Sequence, residues 1–403
     1  MGRSGGEHGA GSRRALAAAG VAFAVRLALI LASDRVVADV AIYRKVAERV
    51  LAGAWNPYEL PARFYPYPPV WVWFEAGAEW LARHTAVGFP VWVKLPVLAA
   101  EIGIVLILAR WPGGGGGRAA AWAPWLYALH PVALIVSGVH GQFDSLPLFF
   151  TLLALRLHER GRLDASALAL AGGIAVKSFP VLLLPFFAAR LPSLGRAARF
   201  CLLATVPVGL LLVPFAAANL PALVRELFGY SGFADFGWIG FYRGLLWLDS
   251  GTLARSEPPY WGVLPGVAKL LFLAVYGTLL LAFWRRRLGW SLAEATLAVF
   301  LAFQALYGSV SAQYLLWVVP FAVLRPDGFV PAHAVAGTGA LLAFYSFLHP
   351  RVLFADPSLA PAGAGAAWVA GVGAVLLVGV AWLVFLVRRG LLEAQRVAEP
   401  GPP

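Results

Sequence analysis

The chain has 403 residues, 60% of them hydrophobic and 13% charged, with a mean hydropathy of +0.75. A soluble protein of this length carries about a quarter charged residues, so the composition excludes a soluble globular class and points to a polytopic membrane protein. The formal net charge of +12 is no nucleic-acid signature, because the surplus falls in short clusters between apolar runs, as the positive-inside rule expects.

In chain order, residues 1–14 read as a polar tail, disordered through Gly11. The first apolar run, Ala15 to Ala32, follows Arg13 and Arg14 and is interrupted by Arg26. Its length suits a retained span better than a cleaved signal peptide. Further apolar runs lie at Phe89–Ala109, Ala119–Val136, Leu146–Leu157, Leu163–Val176, Phe179–Ala189 and Phe200–Ala216. Others follow at Leu264–Trp284, Leu292–Leu306, Gln313–Leu324, Ala332–Leu348 and Ala366–Val387. The expected fold is all-α, a polytopic transmembrane helix bundle of about 11–12 spans. It forms one integral domain over 15–390, with a second tail over 391–403, disordered from Glu393. With both termini cytoplasmic, nearly every arginine cluster falls inside, including Arg285 to Arg287 and Arg388/Arg389. Two wet regions then face outward, 33–88 and 217–263. The GGGGG of Gly113 to Gly117 reads as a flexible linker, since no lysine–serine phosphate-loop signature accompanies it. The one cysteine, Cys201, excludes an intrachain disulfide and a cysteine metal site.

The first outer region is the unusual one. From Val36 to Leu51 the pattern is helical, with Val36, Val40, Tyr43, Ala47 and Val50 on one stripe and Lys45, Glu48 and Arg49 opposite. Asp39 falls beside the apolar stripe, where a carboxylate is costly unless paired or used. Two readings stay open: a first-turn acid favouring the helix dipole, or a general base at the outer membrane surface. Asp34 is the runner-up for the second role. Asn56-Pro57 and the series Pro66, Pro68, Pro69 then force turns and extended chain. Tyr58, Tyr65 and Tyr67 in this knot suit either an interface belt or a sugar. Pro69 to Ala82, with Glu75, Glu79, Trp71, Trp73 and Trp80, reads as a helix lying at the membrane surface.

A second polar cluster, HGQFDS, crowds the outer start of a span. Asp144 or Ser145 can cap that span, while His140, Gln142 and Asp144 have the donor and acceptor versatility that polyol recognition uses. Gln313 and Tyr314 are further candidates for that task. Outer-side cations able to meet a phosphate are Arg63, Lys177, Arg243, Arg255, His349 and Arg351. Lys177 can equally be a snorkelling side chain, and His349 and Arg351 interface anchors.

The Asp shortly after the first span with a Tyr four residues on, LAGAWNPY, and YPYPPVWVW resemble the GT-C class of integral membrane glycosyltransferases. Closest are the bacterial polyprenyl-phosphate-mannose-dependent mannosyltransferases. The run ALHPVALIVSGVHGQFDSLPLFFTLLAL, with AVKSFPVLLLPFF and SAQYLLWVVPF, resembles blocks of the same class. The resemblance implies two juxtamembrane helices in the first outer loop and Asp39 as general base. It implies Lys177, His349, Arg351 or Arg63 on the donor phosphate, and Tyr43, Tyr65, His140, Gln142, Asp144, Gln313 and Tyr314 toward sugar or acceptor. It further implies a multi-pass protein of the cell inner (plasma) membrane whose outward-facing site moves a sugar, with inversion, from a polyprenyl-phosphate-sugar donor to a glycan or glycolipid acceptor. Lipid A sugar transferases of the class carry a lysine before the Pro-Pro, where this chain has Tyr67. The phosphate contact must therefore come from elsewhere, and no metal or cofactor is expected. A transporter or flippase is the alternative class; it would favour mid-span ionisable residues and repeat symmetry. A lipid-binding scaffold, the third, would not need Asp39.

Overall fold

Helix is the form that satisfies every backbone amide inside a lipid phase, and the apolar runs take it. The computed structural model describes residues 4–60, 65–111, 118–229, 233–252 and 261–398. Arg63, Arg255 and the Gly113–Gly117 run lie outside the described residues. Among those described, no strand forms beyond one isolated bridge, Phe236 to Val310. Seven helices among the described residues are long and apolar enough to cross a membrane. Four shorter apolar helices accompany them, at Leu163–Val176, Phe179–Ala189, Leu292–Leu306 and Ala312–Ala322.

The chain divides into two compact units. The first comprises Met1–Val181, Arg199–Tyr230 and Val323–Pro326. Its helices are α1 (Ser4–Ala32), α2 (Asp39–Leu51), α3 (Val70–His84), α4 (Phe89–Ala109), α5 (Arg118–Ala128), α6 (Pro131–Ala133), α7 (Ser145–Glu159) and α8 (Leu163–Val176). It also holds most of α10 (Leu194–Gly229). In this unit α1 packs on α4, α4 on α7, α7 on α8, and α2 on α3. The second unit comprises Leu182–Ala198, Ser231–Ala322 and Asp327–Pro403. It contains α9 (Leu184–Ala189), α11 (Gly237–Ser250), α12 (Leu264–Trp284), α13 (Leu292–Leu306), α14 (Val319–Ala322), α15 (Phe329–Leu348), α16 (Pro350–Leu353) and α17 (Ala364–Ala398). There α17 packs on α11, α13 and α15, and a Ser291–Glu294 capping box starts the buried α13.

Several sequence expectations are corrected. Helix α1 begins at Ser4 and α17 runs to Ala398, so Gly11 and Glu393 are helical rather than disordered. The span expected at Ala119–Val136 is present as Trp122–His140, but it is not one regular helix. Helix α5 ends at Ala128, Pro131 opens α6, and a π-helical turn over Leu134–His140 follows. Helix α10 extends to Gly229, through the start of the region expected to be wet, and bends at Asn219, whose φ of −158° is not helical.

Two findings concern charge. Glu75 and Glu79 are buried against the rest of the protein in α3, not solvated, while Trp73 and Trp80 are exposed. Glu101, thirteen residues into α4, is a buried acid in mid-span.

Candidate active site

Helix α2 begins at Asp39, three residues later than the periodicity alone indicates, so Asp39 occupies the first turn. The preceding Ala38 has φ 49° and ψ −128°, a backbone region that favours glycine. No side chain caps the helix at Ala38. The stripe of α2 is realised: Val40, Tyr43 and Ala47 are buried, while Val36 lies outside the helix and is exposed.

Asp39 does not face water alone. Its Oδ2 accepts a short hydrogen bond from Gln142 Nε2 and lies 3.2 Å from His140 Nε2. Tyr43, one turn along α2, donates to Gln142 Oε1 at 3.1 Å. Burial pushes the Tyr43 phenol well above its ordinary range, which keeps it a proton donor. The side chain of Asp39 retains 34% exposure, against 5% for His140. A half-open carboxylate is thus held by two residues about a hundred positions away.

Gln142 and His140 reach Asp39 because the chain between α6 and α7 folds tightly. The π turn widens the helix, a feature often found at functional sites. Gly141 then adopts φ 84°, and its amide and that of Gln142 both bond to Val136 O. A Cβ at Gly141 would lie 2.6 Å from Lys94 Cε. Lys94 cannot swing aside cheaply, since its ammonium donates to Ser33 O, Ser33 Oγ and Val139 O at 2.8, 3.0 and 2.9 Å.

Asp144 takes the N-cap position of α7 but makes no side-chain cap bond. Its buried carboxylate instead accepts from Lys177 Nζ at 2.8 Å, so the capping expectation fails for Asp144. Lys177 ends α8 in extended backbone, and its ammonium lies 4.9 Å and 5.3 Å from the Phe143 and Tyr67 ring centres. Phe143 stacks on Trp71 at 4.2 Å, and Tyr43, Tyr67 and Trp71 close an aromatic box around it. Tyr65 is buried under this box, with its hydroxyl toward Pro68 O. Asp39, Tyr43, Tyr65, His140, Gln142, Asp144 and Lys177 therefore belong to one unit and one neighbourhood. Asp34 is exposed.

The remaining described candidates belong to the second unit. Gln313 is buried, and Tyr314 accepts Gln304 Nε2 through its carbonyl while its ring packs on Trp317. His349 ends α15 with its ring against Phe344, and Arg351 lies in α16. Arg243 is bonded to Asp235 and Ala234 O.

Sequence reasoning passed over Lys94 and Glu101, and read Glu75 only as part of a surface helix. Lys94 and Glu101 each interrupt an apolar span, which is itself a signal. Glu75 is fully buried beside Trp71, and burial pushes its carboxyl well above the usual range.

Residues 61–192 match the family model of the alpha-(1->6)-mannopyranosyltransferase N-terminal domain. The match takes in Tyr65, Tyr67, His140, Gln142, Asp144 and Lys177, and begins after Asp39 and Tyr58. The chain is a membrane glycosyltransferase. The match supports the resemblance to polyprenyl-phosphate-mannose-dependent mannosyltransferases on about a third of the glycosyltransferase's length. Among solved structures, ArnT from Cupriavidus metallidurans bound to undecaprenyl phosphate is similar at 18% identity and TM-score 0.49, over 94% of this chain and 74% of that one. ArnT from the same organism in the apo state is similar at 19% identity and TM-score 0.45, over 92% and 73%. No curated protein matches.

Proposed function

We propose that this glycosyltransferase moves a mannosyl group from a polyprenyl-phosphate donor to an acceptor hydroxyl at the outer face of the plasma membrane, with both termini cytoplasmic. Asp39 is the general base. The observation that carries this reading is the Asp39 carboxylate, half exposed and held by Gln142 and His140 beside the mannosyltransferase-like segment.

In this reading the acceptor oxygen attacks C1 of the donor sugar as its proton passes to Asp39. The bond from C1 to the phosphate oxygen breaks, and the lipid phosphate leaves with the electron pair. A single displacement inverts the anomeric centre. Gln142 and Tyr43 hold the base in one orientation, which contributes to rate through positioning. The leaving phosphate needs a cation rather than an acid. Lys177, fixed by Asp144, is the proposed first partner, and His349, Arg351 and Arg63 follow. Tyr65, Gln313 and Tyr314 remain proposals for sugar or acceptor contact.

The test is transfer from labelled polyprenyl-phosphate-mannose in membranes, with the product identified. Asp39→Asn should bind donor yet lose about 10²–10⁴-fold in turnover. Undiminished turnover would remove Asp39 from the role. Lys177→Ala should raise the donor concentration needed without changing the acceptor used. Normal donor dependence would move the phosphate contact elsewhere.

A further inference from the structure

A second polar group lies beneath the turn that carries His140 and Gln142, and none of the chemistry above uses it. Arg26 in α1 and Glu101 in α4 are both fully buried, within segments long enough to span. Arg26 Nε donates to Glu101 Oε2 at 2.9 Å, and Nη2 lies 2.7 Å from the same oxygen. Arg26 Nη1 donates to Ala128 O at 2.6 Å and Nη2 to Tyr127 O at 3.4 Å. Those carbonyls end α5 just before Pro131, which has no N–H to offer Tyr127 O. The guanidinium therefore supplies a donor to Ala128 O and a second one to Tyr127 O, which also accepts from the His130 amide.

The other oxygen of Glu101 faces the turn. Oε1 accepts from both Ser137 Oγ and Ser145 Oγ, and the two hydroxyls lie 2.9 Å apart. Ser137 precedes His140 by three residues, and Ser145 follows Asp144 directly. One charged oxygen thus clamps the two ends of the loop that presents His140, Gln142 and Asp144. Charge-assisted bonds are roughly twice as strong as neutral ones. An ion pair buried in lipid-facing protein is costly to assemble for stability alone.

We propose that Arg26 and Glu101 are positioning residues: through Ser137 and Ser145 they set the height and spread of the 137–145 turn, and so the placement of Gln142 and His140 on Asp39. The inference rests on the proposed role of Asp39 for its effect on rate, though not for its effect on the turn.

Ser145→Ala and Ser137→Ala test it without stranding a buried charge. Ser166→Ala is the matched control, a fully buried serine that donates to Ala154 O at 2.7 Å outside the network. Two readouts separate the claims. Hydrogen exchange of the Gly141 and Gln142 amides, both bonded to Val136 O, should quicken about tenfold or more in Ser145→Ala and stay unchanged in Ser166→Ala. In the transfer assay, turnover of Ser145→Ala should fall about tenfold with donor KM held within about twofold, while Ser166→Ala keeps wild-type turnover. Unchanged exchange at 141–142 in both serine variants overturns the proposal. So does turnover that falls equally in Ser145→Ala and Ser166→Ala, because the network is then structural only. If the wild type transfers no sugar while exchange still quickens, the function proposed above fails and the clamp stands.

Discussion

Gly141 and Glu75 carry the clearest consequences for single residues. At Gly141 a side chain meets two obstacles, the positive φ and a lysine stem pinned by three bonds. The backbone alone costs about 1–2 kcal/mol for a residue with a Cβ. Gly141→Ala should therefore lower thermal stability in detergent and cut turnover more than tenfold, since the strained turn is the one that presents Gln142. Turnover equal to wild type would mean that the turn tolerates displacement. Glu75 answers to pH. Its carboxyl is raised by burial, so folding favours the protonated form. Its contribution is fully present below the ordinary carboxyl range and is lost as pH rises toward the raised value. The melting temperature should fall as pH rises above the ordinary carboxyl range, and fall less in Glu75→Gln. At the alkaline end the variant should be the more stable by about 1–3 kcal/mol. Parallel pH curves for the two proteins would show that Glu75 carries no such penalty.

The pair formed by α2 and α3 is an element built around another buried acid. Glu79 in α3 accepts from Arg83 Nε at 2.9 Å and from Arg44 Nε of α2 at 3.2 Å. The arginines are half exposed, so the Coulomb gain is screened. Arg83 lies on α3 itself, so docking of α2 adds the second partner, Arg44, which makes Glu79 a latch between the two helices. Glu79→Ala should cost about 1 kcal/mol and quicken hydrogen exchange across α2, leaving α15 at its wild-type rate. Equal exchange in α2 would show that apolar packing of Val40, Tyr43 and Trp71 holds the pair unaided. The break at Pro131 works on the same scale. It ends α5 early and lets a π turn and a left-handed glycine lift His140 and Gln142 out of a regular helix. Hydropathy reads that region as one span because His130 is the one strongly polar residue in an otherwise apolar run from Trp122 to Val136.

For the whole molecule the testable statement is orientation. Exposed Ala86 lies between α3 and α4, and exposed Arg160 lies between α7 and α8. In a Cys201→Ser background, Ala86→Cys should react with an impermeant thiol reagent on intact cells, and Arg160→Cys only after lysis. The reverse pattern would place Asp39 on the cytoplasmic side and end the proposal of an outer-face site.

By itself, the sequence determined the helical membrane class, most of the helices, and the face of α2 that turns inward. Those follow from local quantities: hydropathy summed over a span and a period of 3.6 residues. It also marked Asp39, His140, Gln142, Asp144 and Lys177 as polar groups in costly positions. Only the tertiary structure decided which of them meet. The Asp39–Gln142 bond joins positions 103 apart, and the Lys177–Asp144 pair joins positions 33 apart. Helical periodicity says which way a side chain points, but its partner depends on how deep neighbouring helices sit and where each one breaks. Arg26 and Glu101 make the same point inside the span. Each alone reads as an unwelcome charge in lipid, and only the packing of α1 on α4 turns the two into a buried pair, because a charge in a low-dielectric phase is tolerated once its counter-charge and hydrogen bonds arrive with it.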